Sequence, residues 1–108
     1  MMLMSKKSFT ERCYELLKKV PKGKVTTYKS LARALNTKAY RAVGEAMKKN
    51  KHPNTIPCYK VINSNGSLGG YMGSDPKNLK KKIQLLRAEG IEIKNNKIDL
   101  DKYLYRGL

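Results

Sequence analysis

Apolar residues recur with a helical period in several segments of this 108-residue chain. After Ser8, which can cap a helix, they lie three or four residues apart until Pro21 and Gly23 end the run. The positions are Phe9, Cys13, Leu16, Leu17 and Val20. The pattern predicts an amphipathic helix that buries Cys13 in the core.

Two shorter periodic segments follow an extended piece at residues 24–26. Thr27–Leu35 starts with a capping threonine, and Lys38–Lys49 places Val43 and Met47 on one face. Two short helices joined by a tight turn are typical of a helix-turn-helix. The second helix is rich in small residues, which suit close approach to DNA and ordinary helix packing equally well: Ala39, Ala42, Gly44 and Ala46.

The stretch from His52 to Gly73 lacks helical periodicity and is rich in Pro, Asn, Ser and Gly, so we expect a structured, functional loop. A fourth helix follows, because Asp75-Pro76 supplies a cap and a first-turn proline and Gly90 ends the pattern. Its apolar face carries Leu79, Ile83 and Leu86.

The last segment predicts a small β-hairpin, with Ile91–Lys94 paired to Lys97–Leu100 about Asn95-Asn96, and a short turn near Tyr103. A chain of this length fits one domain, so we expect residues 1–108 to form a single, mainly α unit.

Charge narrows the class of partner. The chain has 24 Lys and Arg against 8 Asp and Glu, a net charge of +16. Such an excess favours a polyanion, and nucleic acid above all. A lysine-rich surface that only confers solubility is the alternative, and charge alone does not separate the two.

Other classes of site find little support in the composition. The chain has two cysteines without a CxxC pair and a single histidine, so we expect no metal, and no cofactor is indicated. The first residues do not resemble a signal peptide, and no run approaches 18 apolar residues. We therefore expect a cytoplasmic, nucleoid-associated protein, or a nuclear one in a eukaryote, with no membrane partner.

Cys58 is the candidate nucleophile. It lies in the loop between Pro57 and Tyr59-Lys60, where nearby cations would favour the reactive thiolate. Local composition supports a buried, inert thiol equally well, because free cysteines are mostly buried.

Motifs in a fixed order then identify a family. They are Pro21-Lys22-Gly23-Lys24-Val25-Thr26-Thr27-Tyr28, Arg41-Ala42-Val43-Gly44, Asn50, Ile56-Pro57-Cys58-Tyr59-Lys60-Val61-Ile62, Ser64, Gly66, Leu68-Gly69-Gly70-Tyr71 and Glu89-Gly90. From about Phe9 to about Gly90 the chain resembles the C-terminal domain of the O6-alkylguanine-DNA alkyltransferases. The resemblance implies a winged helix-turn-helix that enters the minor groove and flips a base out of the duplex. The separate N-terminal domain of that family is expected to be absent.

The resemblance also assigns roles to individual residues. Cys58 becomes the alkyl acceptor, Arg41 fills the stack vacated by the flipped guanine, and Tyr28 assists rotation and can donate to the leaving base. The alternatives are a solvated charge for Arg41 and a core aromatic for Tyr28. The carbonyls of Cys58 and Val61 are expected to accept hydrogen bonds from the guanine amino group, and Tyr71 is expected to form a wall of the pocket. Asn50 is the expected link between the recognition helix and the cysteine loop. Ala42 and Gly44 are expected to allow close approach to DNA, and Gly69 and Gly70 to lie in the wing loop.

The sequence departs from the family at the residue after the cysteine, which is normally histidine and here is Tyr59. A tyrosine with an ordinary pKa near 10 is a poor general base at neutral pH. Either Tyr59 relays a proton to Glu89, or Lys60 and the basic surroundings lower the pKa of Cys58. We expect slower transfer, with complete loss as the other outcome.

Three further departures concern recognition. Tyr40 replaces a small residue of the recognition helix, Met72 follows Tyr71 where serine is common, and Lys60 replaces an arginine whose fork can bind two acceptors at once. The short alkyltransferase-like proteins, which bind alkylated guanine without repair, also lack the N-terminal domain, but they typically carry tryptophan where this chain retains Cys58.

The leading hypothesis is a monomeric DNA-repair enzyme, a methylated-DNA–protein-cysteine methyltransferase that reacts once with double-stranded DNA containing O6-alkylguanine and needs no small-molecule cofactor. A lesion sensor that binds without transfer is the first alternative. A winged-helix transcription regulator is the second, but it leaves the Pro57-Cys58 loop unexplained.

Overall fold

The computed structural model describes residues 8–52, 55–69 and 76–108. It contains five α-helices, namely α1 (Phe9–Lys18), α2 (Tyr28–Ala34), α3 (Tyr40–Lys48), α4 (Pro76–Ala88) and α5 (Leu100–Tyr103). Two strands, β1 (Thr26–Thr27) and β2 (Val61–Ile62), complete the regular structure, together with a 3₁₀ turn at Cys58–Lys60. Among the described residues the fold is therefore mainly α, as predicted.

The first two helices begin where the sequence predicts. The Ser8 side chain accepts the Glu11 N–H at 3.1 Å, and the Thr27 hydroxyl accepts the Ser30 N–H at 3.0 Å. Each cap satisfies a backbone donor that the first turn leaves unpaired. The confirmed cap at Thr27 fixes Tyr28 as the first residue of α2.

The third and fourth helices follow the predicted order with small changes. Helix α3 begins at Tyr40, two residues later than predicted. In the turn before it, the Thr37 hydroxyl accepts a hydrogen bond from the Ala39 N–H, which delays the start of the helix. Helix α4 begins at Pro76, as the first-turn proline predicts, whereas its predicted cap Asp75 lies outside the described residues.

The short sheet was not predicted. Strands β1 and β2 pair in parallel, with Thr26 opposite Val61 and Thr27 opposite Ile62. The two strands come from distant parts of the chain, and each is too short to leave an alternating pattern in the sequence. Their pairing joins the segment before α2 to the segment after the 3₁₀ turn.

The predicted C-terminal hairpin is wrong in extent. Lys94 and Lys97 exchange both backbone hydrogen bonds around Asn95 and Asn96, which have φ angles of 52° and 58° and so form the tight turn. Beyond that single rung no strands form, because Lys97 also bridges Ser67 and the following residues turn into α5. Ile91, Ile93 and Ile98 are buried, and their burial sets the path of the chain here.

Two hydrophobic clusters meet at the sheet. Neighbouring side chains of a strand point to opposite faces, so Val61 joins one cluster and Ile62 the other. The first cluster includes Cys13, buried as predicted, and Cys58, and it lies between α1, α2 and α3. The second lies under α4 and the C-terminal segment.

Among the described residues no helix has the length and apolar character needed to cross a membrane. The same part of the chain holds no group of three or more His, Cys, Asp or Glu side chains placed to bind a metal ion.

Gly66→Ala should destabilise the fold. Gly66 has a φ of +89°, and an added Cβ would lie 2.7 Å from the Ile98 carbonyl oxygen. We expect a loss of about 1–3 kcal/mol in the free energy of unfolding, measured by urea denaturation. Gly44→Ala is the matched control, since its Cβ would meet nothing within 4 Å inside α3, and it should gain about 1 kcal/mol. Equal effects of the two substitutions would contradict this account.

Candidate functional site

Cys58 opens the 3₁₀ turn that leads into β2, and its side chain is 4% exposed. Its backbone N–H donates to the Ile56 carbonyl at 2.8 Å, and its own carbonyl accepts the N–H of Val61. The turn therefore holds the thiol at one defined place inside the first hydrophobic cluster.

Asn50 ties the end of α3 to the cysteine loop. Its amide donates to the Ile56 carbonyl at 2.7 Å and its side-chain oxygen accepts the His52 N–H at 2.9 Å. A hydrogen bond from Asn50 also favours the Cys58 thiolate. The family resemblance assigns Asn50 a link of this kind, and its catalytic role stays a prediction.

The pKa of the Cys58 thiol is raised above its ordinary value. Burial is the main cause, and it outweighs the hydrogen bond from Asn50 and the positive charge of Lys82, which both lower the pKa. At neutral pH the group is therefore mostly a thiol.

Tyr59 and Glu89 are joined by a hydrogen bond, and the proton relay from Cys58 through them stays a prediction. The Tyr59 hydroxyl donates to Glu89 Oε2, while Glu89 Oε1 accepts the Gly23 N–H at 2.9 Å and the Lys60 ammonium at 3.0 Å. Burial raises the pKa of Glu89, but the hydrogen bonds from Tyr59, Gly23 and Lys60 and the charge of Lys60 outweigh it and leave the pKa lowered. Glu89 is thus a carboxylate at neutral pH.

Lys60 does not play the role expected of it. The Lys60 ammonium forms an ion pair with Glu89. It also donates hydrogen bonds to the carbonyl of Val20 at 3.3 Å and the carbonyl of Pro21 at 2.9 Å, just after the end of α1. The expectation that Lys60 and the basic surroundings lower the pKa of Cys58 below its ordinary value is wrong, because burial leaves that pKa raised. The partly buried carboxylate of Glu89 holds the Lys60 ammonium, and the positive charge of Lys82 is the cationic contribution that lowers the pKa of Cys58.

Lys82 is the residue that sequence reasoning missed. It lies on α4 with no exposed surface, and its ammonium donates to the Val61 carbonyl at 2.8 Å and the Leu68 carbonyl at 2.6 Å. The available signal was its spacing, three residues after Leu79 and four before Leu86, which places it on the apolar face of the helix. Because Lys80 and Lys81 come directly before it, Lys82 resembles part of an exposed, charged run in the sequence.

Tyr14 is a second missed residue. Its hydroxyl donates to the Ala46 carbonyl on α3 at 2.7 Å. The pKa of Tyr14 is raised mainly by burial, and to a smaller extent by the negative charges that the Cys58 and Cys13 thiolates would carry. Tyr14 therefore lies near the Cys58 thiol. Its position on the inner face of α1 is the signal that could have identified it.

The remaining predicted residues divide between the interior and the surface. Tyr28 is partly buried, and its pKa is raised by burial and by the nearby Cys58. Arg41 is exposed on α3, and Ala42 and Gly44 are half-buried beside it. Val61 is buried, with its carbonyl on Lys82. Gly70, Tyr71 and Met72 lie outside the described residues.

A surface cavity of about 500 Å³ opens beside this region. Its lining includes Tyr28, Lys29 and Tyr40, the last of which is 48% exposed. The turn at residues 63–65 completes the lining. The cavity is lined by aromatic, amide and cationic groups, which are the groups that contact nucleotides.

Comparison with known proteins agrees with this geometry. The family model described as the DNA-binding domain of 6-O-methylguanine DNA methyltransferase matches residues 8–91. A bifunctional methyltransferase/endonuclease of Picrophilus torridus is 51% identical over 94 residues, which are 85% of this chain and 30% of that protein. The methylated-DNA–protein-cysteine methyltransferase of Archaeoglobus fulgidus is 46% identical over 88 residues, covering 78% of this chain and 57% of the relative. The chain thus spans less than two thirds of either relative.

Solved structures give the same family. S. pombe Atl1, in complex with damaged DNA containing O6-carboxymethylguanine, superposes with a TM-score of 0.82 at 28% identity, over 95% of this chain and 99% of that one. The O6-methylguanine-DNA methyltransferase of Pyrococcus kodakaraensis superposes with a TM-score of 0.67 at 43% identity, over 79% and 47%. With Cys58, Asn50 and Glu89 inside the matched residues 8–91, the chain belongs to the 6-O-methylguanine DNA methyltransferase family, in the part that forms its DNA-binding domain.

Proposed function

We propose that this protein binds double-stranded DNA, flips an O6-alkylated guanine out of the duplex and transfers the alkyl group irreversibly to Cys58 Sγ. The observation that carries the proposal is the thiol held by the 3₁₀ turn against Asn50, within electrostatic reach of Tyr28 and Lys82. A cysteine in the core for packing alone would need none of these polar neighbours.

The proposed DNA interface is the exposed face of α3. In a winged helix-turn-helix this helix enters the minor groove, with the half-buried Ala42 and Gly44 allowing close approach. Arg41 then occupies the place of the flipped base, and the net charge of +16 provides contacts to phosphates.

The proposed reaction is a displacement at the alkyl carbon. The bond from Sγ to carbon forms as the bond from carbon to O6 breaks, and the electron pair of that bond stays on guanine. Guanine then needs one proton and the thiol has lost one, so the transfer is balanced without a further reactant. Tyr28 suits the role of donor to the leaving base because its raised pKa keeps the phenol protonated.

Activation of the thiol is the slow part of this scheme. Tyr59 takes the family's histidine position and donates to Glu89, so the residue after Cys58 supplies a phenol where the family supplies an imidazole base. The raised pKa of Cys58 keeps the thiolate fraction small at neutral pH. We propose that the protein is a monomeric, single-turnover transferase that is consumed by its own reaction. It reacts more slowly than the relatives that carry the histidine.

Lesion sensing without transfer is the second candidate function. It is favoured by the superposition on S. pombe Atl1 over nearly the full length of both chains, together with the raised pKa of the thiol. Both functions use the same DNA interface and differ only in the reactivity of Cys58.

Intact mass tests the transfer. After incubation with a duplex containing O6-methylguanine under reducing conditions, the protein should gain one CH2 group, and peptide mapping should place it on Cys58. Cys58→Ser should abolish the gain because a hydroxyl is far less nucleophilic. Cys13→Ser is the control, and it should still gain mass. Tight binding to the damaged duplex with no gain in mass would overturn the transferase and leave the sensor.

Arg41→Ala should separate flipping from binding. Because other cations hold the phosphates, we expect affinity for the damaged duplex to fall by more than affinity for the undamaged one. Arg33→Ala, exposed on α2, serves as the control for a change in charge alone. Fluorescence of 2-aminopurine opposite or beside the lesion reports the flipped state. Equal losses on both duplexes would reduce Arg41 to a phosphate contact.

Tyr59→His should raise the single-turnover transfer rate at neutral pH, because an imidazole titrates near neutral pH and can accept the thiol proton. The rate is measured by quenched-flow transfer from the lesion duplex. Tyr59→Phe is the companion variant: it removes the hydroxyl bonded to Glu89 and supplies no base. A rate for Tyr59→His at or below that of Tyr59→Phe would show that the missing imidazole does not limit transfer.

A further inference from the structure

Tyr40 is the one large apolar side chain that is exposed in the described part of the chain. It is the first residue of α3 and directly precedes Arg41, so it lies at the start of the helix that carries the proposed DNA interface. A single exposed ring is common on a protein surface and means little by itself. The significance of Tyr40 lies in the cavity that its side chain helps to line, called here the Tyr40 cavity.

The Tyr40 cavity has a volume of about 500 Å³, which is the size of a site for a small ligand. Two of its lining residues are aromatic, Tyr28 and Tyr40, and a third, Lys29, is an exposed cation. None of the lining residues that the structure describes is acidic. Aromatic rings stack on bases and lysines pair with phosphates, so the cavity has the chemistry of a nucleotide site.

The remaining wall is a turn that its own hydrogen bonds hold in place. The Asn63 N–H donates to the Ser67 carbonyl at 2.9 Å, and the Asn63 side-chain amide donates to the Ser67 hydroxyl at 2.8 Å. The Asn65 side-chain oxygen accepts from the Ser67 N–H at 2.9 Å and from the Ser67 hydroxyl at 2.7 Å. Because these bonds are internal to the turn, binding of a nucleotide would not have to order this wall.

Tyr28 connects the Tyr40 cavity to the surroundings of the thiol. Its ring packs against the first hydrophobic cluster, which contains Cys58, and it also lines the cavity. Cys58 itself is buried and is not among the described residues that line the cavity. The Tyr40 cavity is therefore a neighbour of the thiol site and not a part of it.

We propose that the Tyr40 cavity binds an extrahelical nucleotide of the damaged strand, with the Tyr40 ring stacked on its base and the Lys29 ammonium paired with its phosphate. The inference rests on the proposed function, in which an alkylated guanine leaves the duplex with assistance from Tyr28. It gives Tyr40, which stands where the family usually has a small residue, a role in selecting flipped nucleotides.

Affinity for two matched duplexes tests this inference. One duplex contains O6-methylguanine and the other guanine at the same position, and a Cys58→Ser background keeps the lesion unreacted. Tyr40→Ala removes the ring, so affinity for the lesion duplex should fall by about fivefold or more, as expected for the loss of one base–aromatic stack. Affinity for the undamaged duplex should stay unchanged, because that duplex presents no extrahelical nucleotide. Fluorescence anisotropy of the labelled duplexes measures both affinities.

Two companion variants separate stacking from other effects. Tyr40→Phe keeps the ring and should bind both duplexes like the parent. Lys48→Ala removes an exposed cation at the other end of α3 and should leave the ratio of the two affinities unchanged. Equal losses on both duplexes in Tyr40→Ala would make Tyr40 an ordinary groove contact, and no loss on either would make it a surface residue without a role. Both results would overturn the proposal.

A fluorescent reporter gives a second measurement at the same position. The chain contains no tryptophan, so Tyr40→Trp introduces a single indole. Stacking on a base quenches indole emission, and the lesion duplex should therefore reduce the fluorescence more than the undamaged duplex does. This measurement decides the proposal even if Tyr40→Ala perturbs α3, because Tyr40→Trp keeps an aromatic ring. Equal quenching by the two duplexes would contradict the proposed stack.

The two proposals fail in different ways. If the duplex containing O6-methylguanine never methylates the parent protein, the proposed transfer fails, while the affinity ratio and the tryptophan emission still decide the role of Tyr40. If methyl transfer proceeds but Tyr40→Ala binds the two duplexes with the affinities of the parent, only the role of Tyr40 is refuted.

Discussion

The parallel pairing of Thr26–Thr27 with Val61–Ile62 joins two parts of the chain that are far apart in sequence. On one side of this junction the chain enters α2 through the Thr27 cap, and on the other it leaves the turn that carries Cys58. The pairing therefore brings Tyr28, the first residue of α2, within electrostatic reach of the thiol. The pairing also lies between the two hydrophobic clusters, since Val61 belongs to one and Ile62 to the other.

Two separate groups of buried or partly buried charges lie near this junction. Glu89 lies in one group. Its carboxylate accepts hydrogen bonds from Tyr59, Lys60 and the backbone N–H of Gly23, and these donors stabilise its negative charge. Lys82 lies in the other, with its ammonium on two carbonyls. Such groups contribute little net stability, because the cost of desolvation offsets the attraction. The hydrogen bonds of Lys82 join α4 to two segments that follow Cys58 in the chain.

The two candidate functions, transfer and sensing, differ in the proposed reactivity of the Cys58 thiol. A flipped guanine would meet the same turn, the same phenol of Tyr28 and the same exposed Arg41 in either case. Each unit by which the thiol pKa exceeds neutral pH adds about 1.4 kcal/mol to the barrier for attack by the thiolate. The positive charge of Lys82 lowers the pKa of Cys58, but burial outweighs it and leaves that pKa raised.

The sequence by itself determined the elements that depend on neighbours along the chain. The caps at Ser8 and Thr27, the first-turn Pro76 and the turn at Asn95 follow from local hydrogen bonds and backbone preferences, which the order of residues contains. The motif around Cys58 likewise gave the candidate nucleophile and its family. Only the tertiary structure decided which distant groups meet: the partner of β1, the ion pair that turns Lys60 toward Glu89, and the burial of Lys82 against Val61. These contacts join residues far apart in sequence, and they form because burial in a shared core leaves each polar group few partners to choose from.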